Sequence, residues 1–134
     1  MDLGLGQAGS HSLRIVIYLA QQYGGGRRKA REIADALSIP VSHLPVVLAN
    51  LVRHGILTAT AGPYGGYTLA MPPGQLTLLQ VIEATEGMIH EHTCLLDGSA
   101  GEHEDCPVHR AWECARDSLV STLDHTSVAD LVGA

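Results

Sequence analysis

Between Arg27 and Ala70 the spacing of apolar residues changes once, at Gly55, and that change limits what the chain can fold into. Before Gly55, apolar residues recur at the period of a helix that buries one face. After it, ILTAT (56–60) and GYTLA (66–70) read as strands joined by AGPYG. The expected unit is therefore two short helices, a tight turn between them, and a β-hairpin.

The helices are legible piece by piece. In RRKAREIADAL (27–37), Ala30, Ile33, Ala34 and Leu37 share one face. SIP then turns the chain. SHLPVVLANLVRH (42–54) follows, with Ser42 as N-cap and Pro45 in the first turn, where a missing N–H costs little. Gly55 stops it. Upstream, HSLRIVIYLAQQY (11–23) predicts a buried helix with Leu13, Val16, Ile17 and Ala20 at helical spacing, ended by the glycines at 24–26. Downstream, PPG at 72–74 breaks the chain and LTLLQVIEATEG (76–87) predicts another helix.

Residues 88–105 are polar and predict a loop. From Pro107 a long helix is expected to about Leu123, with Val108, Ala111, Trp112, Ala115, Leu119 and Leu123 as its apolar stripe. Proline favours the first helical position and holds the preceding residue extended, so Cys106 falls at the N-cap. The fold class is mainly α with a small β-hairpin, a winged helix-turn-helix plus a long C-terminal helix. The expected division is residues 1–75 and 76–134.

Charge separates the same two parts. The formal net charge is −6. Up to residue 60 the chain nevertheless carries six basic and three acidic side chains; from residue 61 it carries two basic and eleven acidic. Such asymmetry suits one part that meets an anion and another with a different task. In a helix-turn-helix the second helix enters the DNA major groove, which nominates Ser42, His43 and Asn50 for base contact. Arg27, Arg28, Lys29 and Arg31 are placed for phosphates. Pro63, Tyr64 and Gly65 form the wing tip. No nucleophile–base pattern or phosphate-cradling loop points to an enzyme. No apolar run approaches the roughly 20 residues that span a bilayer, and MDLGLGQAGSHS lacks a basic leader, so no membrane partner and a cytoplasmic location are expected.

The three cysteines, Cys94, Cys106 and Cys114, are an odd number, and a reducing compartment favours free thiols or metal ligands over disulfides. A small core residue remains open for Cys114. Zinc also remains open, although no C-x-x-C spacing is present.

The wing residues carry a resemblance. Gly62, Pro63, Gly65, Gly66, Tyr67, Leu69 and Ala70 match the G-P-x-G-G-Y-x-L-A pattern of the Rrf-two-type regulators. These are bacterial winged-helix repressors that include iron–sulfur-assembly and nitric-oxide-sensing regulators. SHLPVVLANLVRHGIL is similar to their recognition helix, and CPVHRAWE and LDHTSVADLV resemble their tail. The resemblance implies a homodimer built on the long C-terminal helix, bound to palindromic double-stranded DNA. Ala61 stands where many members have Arg.

The resemblance also implies an iron–sulfur cluster. Cys94 and Cys106 match the first and last of three cysteines that hold one in several members, and His109 matches a ligand of the assembly regulators. The middle cysteine is absent from 95–105. Cys114, eight residues past Cys106, instead resembles a branch in which two such cysteines hold a 2Fe–2S cluster. There a histidine and a glutamate of the partner's first helix complete the set. His11 occupies the histidine position and Gln7 the glutamate position. A 4Fe–4S cluster and a cluster-free thiol sensor are the alternatives, beside a winged-helix metal-binding or protein-interaction module without an operator.

Overall fold

The computed structural model describes residues 5–87 and 107–133. Among these run α1 (Gln7–Gln21), α2 (Ala30–Leu37), α3 (Leu44–Arg53), β1 (Leu57–Thr60), β2 (Gly66–Leu69), α4 (Leu78–Glu86), α5 (Pro107–Asp124) and α6 (Val128–Val132). The class is the expected one, helices around a two-stranded antiparallel hairpin. Aliphatic side chains fill the core. Ile15 and Val16 of α1, Ile33 of α2, Leu44, Leu48 and Leu51 of α3, Leu57 and Leu69 of the hairpin, Val81 of α4 and Val128 of α6 are all buried in one cluster. Each fully buried Leu or Ile contributes about 1.5–3 kcal/mol relative to exposure.

Helix α1 starts at Gln7, earlier than the periodicity predicts, and ends at Gln21. Its first turn is held by a tertiary bond: the Gly6 N–H donates to Glu86 Oε1 at 2.9 Å, in place of a side-chain cap. A Cβ on Gly9 would stand 2.3 Å from the same oxygen, so glycine lets the end of α4 approach. The buried stripe is Ser12, Ile15, Val16, Leu19 and Ala20; Leu13 and Ile17, expected in it, are only half-buried.

Helix α2 starts at Ala30, not Arg27. The Arg28 N–H donates to the Tyr67 carbonyl at 3.0 Å, and the Tyr67 N–H donates back at 2.8 Å. Arg28 is therefore bridged to β2 as extended backbone and cannot join the helix. Glu32 reaches back to accept the Lys29 N–H at 3.2 Å, which marks the true start. Ser42 is not the N-cap of the next helix. It lies in a 3-10 turn, Val41–His43, and His43 takes the cap position without a side-chain bond. Pro45 does fall in the first turn. Gly55 has φ +75°, as a left-handed stop requires. The chain bends by 120° between α2 and the segment Val41–Arg53, the geometry of a helix-turn-helix.

The wing pairs Leu57 with Leu69, Thr58 with Thr68, Ala59 with Tyr67 and Thr60 with Gly66. A Cβ on Gly65 would lie 2.0 Å from the Thr60 carbonyl oxygen. On Gly66, at φ +142°, it would lie 2.7 Å from the Arg28 carbonyl oxygen. Both glycines are thus needed for the hairpin to close on itself and on Arg28.

Two capping boxes pin the C-terminal part. Thr77 and Gln80 cap α4 reciprocally, at 2.8 and 3.1 Å. Ser127 and Asp130 do the same for α6, at 2.9 and 3.2 Å. The two caps face each other, because Leu78 N–H donates to Thr126 O and Val128 N–H to Leu76 O, each at 2.8 Å.

Helix α5 departs from expectation in what it buries. His109 and Arg116 are the buried residues, whereas Ala111 and Ala115 are exposed and Trp112 and Leu123 half-buried. Val108 and Leu119 are 40 % and 49 % exposed. The apolar stripe faces away from its own chain. The expected loop at 88–105 and the expected N-cap Cys106 lie outside the described residues.

Candidate functional site

The outer face of α3 and its leading turn is the part of the helix-turn-helix left for a partner. Leu44, Val47, Leu48 and Leu51 are committed to the core. Ser42, Pro45, Val46, Ala49 and Arg53 are exposed. Each residue of a helix advances about 100° around the axis, so these five fall on one face. His43 and Asn50 lie to one side of it. The Asn50 amide donates to the Ala84 carbonyl of α4 and accepts from the Arg53 guanidinium. His43 stacks on His11 of α1, ring centroids 5.6 Å apart and 29° between planes, and its Nδ1 is buried without a hydrogen bond. Of the three side chains nominated for base contact, only Ser42 points freely outward. Val46, an apolar residue outside the nominated set, is also exposed there, and its helical phase with Ser42 is legible in the sequence.

Arg27, Lys29 and Arg31 are exposed at the entry to α2. Arg28 is half-buried, and its guanidinium donates to Gln22 Oε1 at 2.9 Å and to the Gly25 carbonyl at 3.4 Å. It therefore braces the wing as well as adding charge. At the wing tip Tyr64 is 91 % exposed and Pro63 is exposed, while Gly65 is buried inside the turn.

The residues nominated for a cluster are spread over two elements and the segment outside the described residues. Cys94 and Cys106 belong to the latter. Cys114 is an exposed thiol on α5. His109 is buried with Nδ1 unpartnered, and its Nε2 lies 3.9 Å from Glu113 Oε2. Gln7 and His11 are one turn apart at the start of α1, Gln7 exposed and His11 buried. Burial chiefly holds the His11 imidazole below its ordinary pKa, and the nearby His43 ring and Arg14 guanidinium add to the effect. Among the described residues no three His, Cys, Asp or Glu side chains converge. The donor types nevertheless suit cluster iron, which takes thiolate and accepts imidazole in its place. An exposed thiol and uncommitted imidazole nitrogen atoms are available for it.

A two-helix reader, a braced hairpin and a long C-terminal helix with its apolar stripe exposed define a winged helix-turn-helix protein. The particular family follows from comparison. The chain belongs to the Rrf2 family, described as iron-dependent transcriptional regulators, which it matches over residues 5–134. It is 29% identical over 123 residues to the HTH-type transcriptional regulator CymR of Bacillus subtilis, covering 92% of this chain and 85% of that one. It is 24% identical over 124 residues to the regulator IscR of Cronobacter sakazakii, covering 92% of this chain and 76% of that one. Among solved structures, CymR of B. subtilis, the global cysteine regulator, superposes with a TM-score of 0.85 at 27% identity over 98% of both chains. IscR of T. potens shares the fold at a TM-score of 0.77 and 23% identity, over 99% of this chain and 88% of that one. Among the described residues no single helix is long and apolar enough to cross a membrane.

Proposed function

We propose that this chain is a homodimeric, operator-binding transcriptional regulator whose DNA affinity follows redox or iron–sulfur status. Residues 1–75 bind DNA, and residues 76–134 dimerise and sense. The observation that carries the DNA reading is the exposed face of α3, beside Arg27, Lys29 and Arg31 and backed by the wing. A symmetric dimer would present two such helices to half-sites about one helical turn, or a multiple, apart.

Cys106 and Cys114 of one subunit, with His11 of the other, are the residues that would hold a 2Fe–2S cluster; Gln7 stands at the fourth position. Such a cluster supplies reversible one-electron chemistry. The chain's contribution is to place thiolate on α5 and imidazole on α1, which packs against α3 through His11 and His43. Any signal that shifts DNA affinity must favour one arrangement of the two recognition helices over another. A second reading, direct thiol sensing without a cluster, is favoured by the exposure of Cys114 and by the likeness to a cysteine regulator.

Anaerobic purification followed by an absorption spectrum and iron and sulfide analysis separates the two. Visible absorption with matching iron and sulfide supports the cluster. Colourless protein whose DNA binding changes with thiol oxidation supports the second reading. Binding to duplex DNA should fall steeply with salt as counterions are released; a flat salt dependence would overturn the operator-binding reading.

A further inference from the structure

We propose that Val46 is the specificity-determining residue of the recognition helix, and that it reads the 5-methyl group of thymine in the major groove. This rests on the DNA-binding reading and goes beyond it by naming the chemistry recognised.

Three observations lead there. First, Val46 is 79 % exposed and Val41, at the start of the same surface, is 53 % exposed. Single exposed apolar side chains are ordinary, but these two together give the outward surface an apolar contact area. Second, two polar groups nominated for base contact are withdrawn from this face, which leaves Arg53 at its far end as a side chain able to make paired hydrogen bonds to a base. Asn50, which could otherwise recognise adenine, is bonded to Ala84 and Arg53. His43 is turned against His11. The remaining surface is Ser42, Pro45, Val46 and Ala49, with Arg53 at its far end. Third, its electrostatic setting is basic and complements a polyanion such as nucleic acid. From Ala36 to Ile82 the chain carries no acidic side chain, and the exposed Arg27, Lys29, Arg31 and Arg53 belong to the two helices or their entry.

The major groove offers such a face one apolar target. Among the base edges only thymine presents a methyl group there, and small apolar side chains contact it. The Ser42 hydroxyl can bond several base edges and discriminates weakly. Selectivity in the first turn of the helix then comes from Val46 packing on a thymine methyl, with Ala49 keeping the helix close to the base edges.

The test uses the full chain, purified anaerobically and assayed both as isolated and after cluster removal. Duplexes are first selected from a random-sequence pool. Each thymine of the enriched duplex is then replaced by uracil, which removes only the methyl group. At one thymine per half-site, uracil should weaken wild-type binding about fourfold, the worth of one buried methyl-sized group. Val46→Ala, which alters both half-sites of a homodimer, should bind the thymine duplex more weakly by about sixteenfold and should no longer distinguish thymine from uracil. Its melting temperature should match wild type, because the side chain touches no core. Wild-type indifference to every uracil replacement overturns the proposal. So does a Val46→Ala protein that keeps the full uracil penalty. Tight binding without sequence enrichment overturns it as well, while leaving DNA binding intact. Absence of binding to any duplex in either state overturns the DNA-binding reading itself, and this one with it.

Discussion

The imidazole rings of His11 and His43 are stacked 5.6 Å apart, which joins the first turns of α1 to the N-cap of the recognition helix. His11 is buried, and burial first, then the His43 ring and Arg14, hold its pKa below the ordinary value. A histidine of this kind takes up its proton more readily in the unfolded chain. Stability therefore rises with pH between the folded and unfolded pKa values. The apoprotein should hold its melting temperature above about pH 7 and lose stability as pH falls through about 6.5. His11→Phe keeps a ring against His43 and removes the titration, so the slope below neutrality should shrink. An unchanged slope in thermal melts from pH 5 to 8 would show that His11 does not carry it.

Arg31 and Arg28 should behave differently although they are neighbours in a basic run. Arg31 is exposed at the start of α2 and makes no hydrogen bond or ion pair among the described residues. Arg31→Ala, which removes one phosphate contact per subunit, should weaken operator and random duplex about equally and lower the salt slope of the dimer by roughly two. Arg28 bonds Gln22 and Gly25 through its side chain and Tyr67 through its backbone. Arg28→Ala should in addition lower the melting temperature. If Arg31→Ala reduces only operator binding, its assignment to phosphate is wrong.

These contrasts show where the sequence was readable. The helix–turn–helix–hairpin order followed from apolar period and from Gly55, because a change of period is a local property. The starts of α1 and α2 were not readable, because tertiary bonds set them: Glu86 caps Gly6, and Tyr67 draws Arg28 into extended backbone. Helix α6 has five residues, too few for a period, although the Ser127–Asp130 box that begins it was visible as S-x-x-D. Basic and wing residues were nominated by type. On α3 the polar side chains were nominated the same way, and the sequence did not show that Asn50 bonds Ala84 or that His43 stacks on His11, because those partners are distant in sequence. Cys94 and Cys106 rest on spacing and resemblance alone.

Gly66→Ala tests the wing. The new Cβ would meet the Arg28 carbonyl oxygen at 2.7 Å, and the backbone sits at φ +142°, where side chains are strained. The expected cost is about 1–3 kcal/mol, read in denaturant melts, with loss of the β2–Arg28 bridge. Hydrogen exchange should show the Tyr67 amide deprotected before those of α3. Uniform protection would mean that the hairpin accommodates the methyl group.

Leu119→Glu tests the dimer. Leu119 is 49 % exposed on the α5 face that also shows Val108, Ala111 and Ala115. A carboxylate on each copy of a shared apolar interface should raise the dimer dissociation constant tenfold or more, about 1.4 kcal/mol. Sedimentation over a concentration series measures it. A variant as dimeric as wild type would place the interface elsewhere.

The cross-subunit ligand set allows the sharpest check of the sensing proposal. Cys114 is an exposed thiol on α5, and His11 has no hydrogen bond among the described residues. Cys106→Ala and Cys114→Ala should each abolish visible absorption while far-ultraviolet dichroism stays unchanged. Cys94→Ala should leave absorption intact for a 2Fe–2S cluster and remove it for a three-cysteine one. His109→Ala should matter less than His11→Ala, if the imidazole comes from the partner. Gln7→Glu should lengthen the lifetime of the absorption in air, because a carboxylate is a better iron ligand than an amide. The decisive experiment mixes Cys106→Ala subunits with His11→Ala subunits. Each heterodimer then holds one intact set, Cys106 and Cys114 from one chain and His11 from the other. Absorption should return on mixing, whereas neither variant shows it alone. If it does not return although heterodimers form, the ligands do not come from two subunits.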